Sequence, residues 1–465
     1  MTTTIAHGQY PQRRPNGLWR GSSAMVMGIT GMLSKSFLNG CSNLEVIGLD
    51  KFVELLESRQ DPYERQRGLI TGMAHELSFS SNKTRLSYSN LYYCRSTVSN
   101  HISVVDDPLI WGVLPLGIAY QPWNLRWGLG AHDIIFKNQF MSMFFNLGQV
   151  LPIHRKMHSP HAGPFQPSMT QAIRLLSAYP FKTLPDHVPL APAQPKTVTM
   201  QTLLAELRDP FSDGSLIYST TGEDVFTAPS AFLSNRHAWV HVFPEGLVHQ
   251  HPQRQMRYFK WGVARLILEA EPMPDLVPMF IDGTSDVMHE SRQWPRSVPR
   301  AGKDVKVVFG DKVDMESTFG DLRTRWKALV RREFEKRTAE IAEAEAQIER
   351  DTRLSDKALA ADRQAGRHGI VAARGAAALP LGSRKKPDVL RVGDLTEDLK
   401  YNKEAEAIRV EVALRVRNEV LKLRKTLGYP DEDPKEKLGL AETWARDPKQ
   451  TKQSPVDGSI EKPST

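Results

Sequence analysis

Between about residues 41 and 320, short apolar strand-like runs alternate with helix-like ones, and this alternation restricts the chain to an α/β architecture. Residues 149–153, 239–243, 277–281 and 305–309 read as strands. Residues 52–59, 137–147, 169–178, 200–207 and 255–270 carry apolar side chains at helical spacing. Stretches rich in Pro and Gly, such as 180–195 and 209–214, read as surface connections. No internal repeat is evident.

Beyond about residue 320 charged residues become much more frequent. Residues 326–350 and 402–427 combine mixed-sign charge with apolar positions at helical spacing (Val412, Val416, Val420 and Leu423), the pattern of exposed or paired helices. Residues 358–387 are rich in Ala and Gly and read as a flexible linker, and the tail from Pro430 has a disordered composition. The net charge of +8 points to an anionic partner, a nucleic acid or an acidic membrane surface. No zinc-finger, RNA-recognition or basic-zipper pattern accompanies it, which argues against nucleic acid. Cys41 and Cys94 are the only cysteines, too few for a disulfide framework or a cysteine metal site.

The first acidic residue is Glu45, after Arg13, Arg14, Arg20 and Lys35. Within this basic start lies an apolar run from Ala24 to Leu33. As a helix it reaches only ~15 Å, half of a hydrocarbon core of ~30 Å, so it cannot span a membrane. An interfacial anchor beside Trp19 is one reading and a buried core helix the other. Residues 108–125 are uncharged and rich in aromatic residues, proline and glycine; they fit either an interfacial face or a core segment.

The chemistry-bearing stretch is Asn100-His101-Ile-Ser-Val-Val-Asp106-Asp107-Pro108. A histidine with a carboxylate to orient it can remove a proton from a hydroxyl. On one helix a spacing of five sets residues about 140° apart, so His101 and Asp106 meet only across a strand–helix junction, and Asp107-Pro108 supplies a helix start there. The alternative is a loop histidine beside a capping acid. Three further blocks follow in order: Gly148-Gln-Val-Leu-Pro152-Ile-His-Arg155, Val242-Phe243-Pro244-Glu245-Gly246 and Leu276-Val277-Pro278. Arg155 is a phosphate partner by its planar fork, or one half of a surface ion pair. The turn at Glu245-Gly246 can offer backbone N–H groups to a phosphate or an oxyanion. His154, His158 and His161 cluster, as do His249 and His251, but no carboxylate lies near them at ligand spacing, so no metal site is expected.

These four blocks in this order resemble the glycerophospholipid acyltransferase superfamily. Asn100-His101-x4-Asp106-Asp107-Pro108-x2-Trp111-Gly112, Arg126-Trp127, Asp133-Ile134 and Trp239-x-His241-x-Phe243-Pro244-Glu245-Gly246 are similar to the tafazzins, mitochondrial transacylases that remodel cardiolipin; the long charged extension is of the fungal type. The resemblance implies a mixed sheet flanked by helices, His101 as general base oriented by Asp106, and substrate contacts at Arg155, Glu245 and Gly246. It implies no cofactor and no metal. Its substrates would be phospholipid and lysophospholipid, cardiolipin and monolysocardiolipin above all. The expected location is the inner and outer mitochondrial membranes, bound from the intermembrane space, as a homo-oligomer or part of a larger membrane assembly. A coenzyme A-dependent acyltransferase and a non-catalytic membrane scaffold are the alternatives.

The implied organisation is a basic segment (1–20), an interfacial anchor (21–40), an acyltransferase domain (41–320) and a charged helical extension (321–465). Two departures stand out. Position 247 is Leu, and residues 72–97 interrupt the resemblance as a polar insertion or retained intron; removing them would run Gly68–Thr71 directly into Val98–His101.

Overall fold

The computed structural model describes residues 14–71, 102–178, 217–364 and 393–433, apart from 104, 157, 247, 249, 252, 290–293, 296 and 297, together with the short strand pair 452–453 and 460–461. The expected helix at 200–207, the loops at 180–195 and 209–214, His101, the stretch 72–97 and nearly all of the expected linker lie outside these residues.

Helix α1 (Gly17–Cys41) begins on an Asn16 cap, whose side chain accepts from the Trp19 N–H, and leads directly into strand β1 (Ser42–Ile47). Helix α2 (Leu49–Glu57) and strand β2 (Leu69–Thr71) follow. After residue 101 come α3 (Asp106–Gly112), α4 (Leu116–Ala119), β3 (Arg126–Ala131), α5 (His132–Ile135), α6 (Gln139–Leu147), β4 (Val150–Ile153) and α7 (Pro167–Leu176). A hairpin, β5 (Ile217–Tyr218) and β6 (Phe226–Thr227), precedes β7 (Trp239–His241), α8 (Gly262–Glu269), β8 (Asp275–Val277), β9 (Met279–Asp282), α9 (Thr284–Val287) and β10 (Lys303–Phe309). Three helices follow, α10 (Met315–Gln364), α11 (Glu397–Tyr401) and α12 (Lys403–Thr426), before the short strand pair.

Five strands form a sheet in the order β4-β3-β7-β2-β8, every pairing parallel. A second sheet, β1-β10-β9, pairs β1 with β10 in parallel and β10 with β9 antiparallel. The single strand expected at 277–281 is therefore two, β8 and β9, one in each sheet. Pro278 stands between them; it has no N–H to give a ladder, so the chain can leave one sheet there and enter the other.

The expected helix at 255–270 forms only over α8. Residues 255–259 are buried on every side, and the carbonyls of Met256 and Arg257 accept from Arg417 rather than from a helical turn. The composition change at 320 marks a change of surface and not the end of the core. Phe319, Leu322 and Trp326 of α10 and Ile408, Val412, Val416 and Val420 of α12 belong to the same buried cluster as the sheets. Glu432, in the tail expected to be disordered, bonds Arg417.

Helix α1 inverts the usual amphipathic arrangement. Its buried positions are Ser23, Gly28, Gly31, Ser34 and Leu38, whereas Leu18, Met25, Ile29, Met32 and Leu33 are exposed. The small residues allow close approach: a Cβ at Gly28 would overlap the Tyr120 ring, and one at Gly31 would meet Ala119. Residues 108–125 are mostly core, with Leu116, Tyr120 and Trp123 left exposed alongside α1.

Candidate active site

Parallel strands bring their carboxyl ends to one edge, and in open α/β sheets that edge is where ligands bind. Thr71 ends β2, His241 ends β7, Ala131 ends β3 and Ile153 ends β4. Asp133, Arg155 and the turn at Glu245–Gly246 follow the ends of β3, β4 and β7 within five residues.

Asp106 opens α3 and is completely buried. Its Oδ2 accepts from the backbone N–H of Ile102 (2.7 Å) and of Ser103 (2.8 Å). Its Oδ1 accepts from the Thr284 hydroxyl at 2.5 Å. The strap 102–103 is pinned further: Gln250 donates to the Ile102 carbonyl at 2.8 Å and Ser103 to the Met288 carbonyl at 3.4 Å. The carboxylate thus holds the two residues that follow His101. Thr284 starts α9 after Gly283, whose φ of +82° and contact with the Asp304 carbonyl exclude a side chain.

Asp107 accepts from Trp111 Nε1 at 2.9 Å and from both Nε and Nη2 of Arg126, and Arg126 also donates to the Gly148 carbonyl at 3.1 Å. Burial opposes ionisation of Asp107, but Arg126 and then His241 outweigh it and hold the carboxyl below its usual range. Beneath this pair Trp111 meets Trp239 edge-on at 4.8 Å and His241 at the same separation. Trp239 Nε1 donates to Thr71 Oγ1 at 2.7 Å, which in turn bonds His241 Nδ1 at 2.7 Å. Indole is only a donor, so Thr71 Oγ1 accepts from Trp239 and links it to His241. His241 and Thr284 carry no role in the sequence reading.

After β7 the chain turns at Phe243–Gly246, where the Gly246 N–H donates to the Phe243 carbonyl at 3.0 Å. That amide closes the turn instead of facing a ligand. Gly246 has φ +69°, and a Cβ there would press on the Lys260 side chain at 2.7 Å. Glu245 is buried and its Oε2 accepts the Arg257 N–H at 2.9 Å.

Arg155 follows β4, two strands from β7 and so about 10 Å from it. Its Nε donates to Asp133 Oδ1 at 3.0 Å, and its Nη2 bonds Oδ2. Burial raises the Asp133 carboxyl, but this fork more than compensates and the acid titrates below its usual range. The ion-pair alternative for Arg155 is therefore realised along the Nε–Nη2 edge. Next to it the rings of His132 and His154 stack with centroids 4.3 Å apart. Burial, followed by His132, lowers the pKa of His154 and favours its neutral form.

Most of this parallel sheet, with these groups at its carboxyl edge, lies within residues 97–282, which match the family model described as Acyltransferase, so it is an acyltransferase domain. The match begins where the unusual stretch 72–97 ends. The chain is 30% identical over 434 residues to the tafazzin of Saccharomyces cerevisiae, covering 92% of this chain and 83% of that protein. It is 25% identical over 313 residues to the tafazzin of Drosophila melanogaster, covering 67% of this chain and 57% of that one. It is also similar to the N-acylphosphatidylethanolamine synthase of Arabidopsis thaliana, at 28% over 222 residues, 47% of this chain and 56% of that protein. The chain belongs to the tafazzin family, and it is an acyltransferase.

Proposed function

We propose that this chain is a phospholipid–lysophospholipid transacylase that needs no coenzyme A and remodels cardiolipin with monolysocardiolipin as acceptor. One observation carries the mechanism: the buried Asp106 carboxylate grips the backbone N–H groups of the two residues after His101. A carboxylate fixed at that point can orient the preceding imidazole. His101 then takes the proton of the acceptor hydroxyl as its oxygen attacks the ester carbonyl of the donor lipid. The tetrahedral intermediate collapses, the donor C–O bond breaks, and the same proton passes to the leaving glycerol oxygen. Such general acid–base catalysis contributes typically about 10²–10⁴-fold.

Arg155 serves the phosphate on this reading, with Asp133 holding its fork in one plane, and Glu245 and Gly246 shape the glycerol-phosphate side. Membership of the tafazzin family supports the lipid class, and the similarity to an N-acylphosphatidylethanolamine synthase fits a phospholipid acceptor. The outward apolar row of α1, continued by Leu116, Tyr120 and Trp123, supports binding to one face of a membrane. No described helix is long and apolar enough to cross one. The location proposed is the intermembrane-space side of the mitochondrial membranes.

Purified protein incubated with labelled phospholipid and monolysocardiolipin, without acyl-CoA, is expected to transfer label. Transfer only after acyl-CoA is added would replace the transacylase reading with the coenzyme A-dependent one. His101→Ala should abolish transfer and leave liposome binding intact; unchanged transfer would remove His101 from the mechanism.

A further inference from the structure

We propose that His132, His154 and Asp224 form a site for a divalent transition-metal ion, zinc foremost. Nothing in the acyl-transfer chemistry above requires such an ion. The geometry arises from strand register. In the parallel pair β3–β4, Ala131 lies opposite Ile153, so the next residues, His132 and His154, emerge side by side. The residues after those are Asp133 and Arg155, which pair. One alignment of two strand ends thus creates both an ion pair and a stacked pair of imidazoles.

The missing carboxylate comes from the β5–β6 hairpin, far along the chain. Its loop is organised around Asp224: Oδ1 accepts from Ser219 Oγ (2.7 Å), Thr220 N (2.6 Å) and Thr221 N (3.0 Å). With Oδ1 committed to the loop, Oδ2 faces the histidines. It stands 3.9 Å from His132 Nε2. The Thr220 hydroxyl gives its one hydrogen to Asp224 Oδ2, so His154 Nε2 donates to Thr220 Oγ1 at 2.7 Å; both ligand atoms converge on that oxygen, and an ion bound there takes the place of the hydroxyl and of the Nε2 proton.

One donor atom from each of the three residues lies within 4.8 Å of the others. Tetrahedral zinc with bonds of 2.0–2.2 Å needs ligand atoms ~3.3 Å apart, so the widest separation must close by up to about 1.5 Å. His132 can supply that movement, because it is half-buried and carries no bond to Asp224 at hydrogen-bond distance. Two imidazoles and one carboxylate are a donor set that zinc accepts with a coordination position left open. Here the open side is real space. His132 and Asp224 line a cavity of about 510 Å³, together with Trp19, Phe136, Asn146 and Phe226. The bonds that fix Asp224 Oδ1 are the supporting contacts that ligating carboxylates normally have, and Gln166 Oε1 holds the His154 backbone N–H at 2.7 Å. An ion here would place positive charge beside Arg155, whose own charge is matched by Asp133. That use rests on the function proposed above, whereas the binding of the ion does not.

The test is metal binding alone. Full-length protein stripped with a chelator is titrated with Co²⁺, followed by its visible absorption, and then with Zn²⁺. One equivalent of Co²⁺ should bind and be displaced by Zn²⁺. His132→Ala, which removes the half-buried ligand and spares the buried His154, should weaken binding at least ten-fold, as should Asp224→Asn. His251→Ala, which alters a histidine outside the cluster, should leave binding unchanged. No saturable binding by the parent protein, or equal binding by the parent and His132→Ala, would overturn the proposal. So would an equal loss in His251→Ala, which would identify adventitious binding by surface histidines.

Discussion

Thr284 donates its hydroxyl hydrogen to Oδ1 of Asp106 at 2.5 Å, a buried contact between residues 178 positions apart. The other carboxylate oxygen is held by two backbone N–H groups. Thr284 therefore positions the carboxylate that the proposed mechanism uses to orient His101, and it reaches Asp106 from α9 after the turn at Gly283.

Replacing Thr284 with Val keeps the shape and removes the donor. A hydrogen bond to a charged group contributes about 1.5–3 kcal/mol, so acyl transfer by Thr284→Val should fall about ten-fold or more. Thr284→Ser should retain most of the activity. Rates measured at saturating lipid, with thermal unfolding as the check on folding, decide this. Equal rates in the Val and Ser variants would show that the contact does not position the acid for catalysis.

Arg126 and Asp107 give a stability prediction. Asp107 is partly buried and takes the guanidinium of Arg126 on both oxygens. Arg126→Leu leaves that carboxylate without its cation and the Gly148 carbonyl without its donor. Removing one partner of a buried pair costs about 3–5 kcal/mol, and the partial exposure of Asp107 points to the lower end. The sign with pH follows from the depressed folded pKa. The contribution is present above the ordinary carboxylate pKa and is lost as pH falls through the lower folded value. Urea unfolding should therefore show a large deficit for Arg126→Leu at pH 7 that shrinks on acidification. A deficit that stays constant down to pH 2 would assign the loss to packing.

The legible part of this site was the part written in local chain grammar. Asp106 meets the strap after His101 because a helix starts there, and Pro108 in its first turn announces that start. Arg155 and Glu245-Gly246 were legible because each follows a strand run directly. Thr284 and Asp224 had no such signal, since a hydroxyl or a carboxylate brought in from another element leaves no spacing to read. The helix expected at 255–270 begins only at Gly262 for a related reason. Met256, Tyr258, Phe259 and Val263 mimic helical spacing, yet the carbonyls of Gln253, Arg254, Met256 and Arg257 are taken by arginines of α12. Tertiary bonds overrode local pattern there.

His237 sets an acid-side limit on stability. Burial lowers its pKa from the usual 6.5 to about 3, against the opposing bond from Nδ1 to the Arg65 carbonyl, and Arg59, Arg236 and Arg65 add to the lowering. The folded state binds this proton less readily than the unfolded one. Stability is thus full above pH 6.5 and is lost as pH falls from 6.5 towards 3, by ~1.4 kcal/mol per pH unit. His154, also lowered, acts in the same direction. His237→Asn tolerates the positive φ of 49° and does not titrate. Unfolding free energies at pH 7, 6 and 5 should fall less steeply in this variant. Identical slopes would remove His237 as the cause.

The extension after residue 320 reaches the site through Arg417. This buried residue of α12 donates to the Met256 carbonyl at 2.6 Å and the Arg257 carbonyl at 3.1 Å, and pairs with Glu432. Arg424 on the same helix donates to the carbonyls of Gln253 (2.9 Å) and Arg254 (3.0 Å). The N–H of Arg257, on the other side of that segment, is the donor to Glu245. Glu245 is therefore held through a loop whose carbonyls are clasped by the C-terminal helix. Arg417→Met keeps the aliphatic stem and leaves two buried carbonyls unsatisfied, at about 1–3 kcal/mol each. The loop should loosen, with faster amide hydrogen exchange over residues 253–257 and acyl transfer reduced several-fold. Arg415→Met is the control, because its fork bonds Asp321 and the Thr318 carbonyl on α10. That variant should lose some stability and leave exchange in the loop and the transfer rate unchanged. If the two variants lower transfer equally, α12 acts on the site through general stability, and the clasp on the Glu245 loop has no separate role.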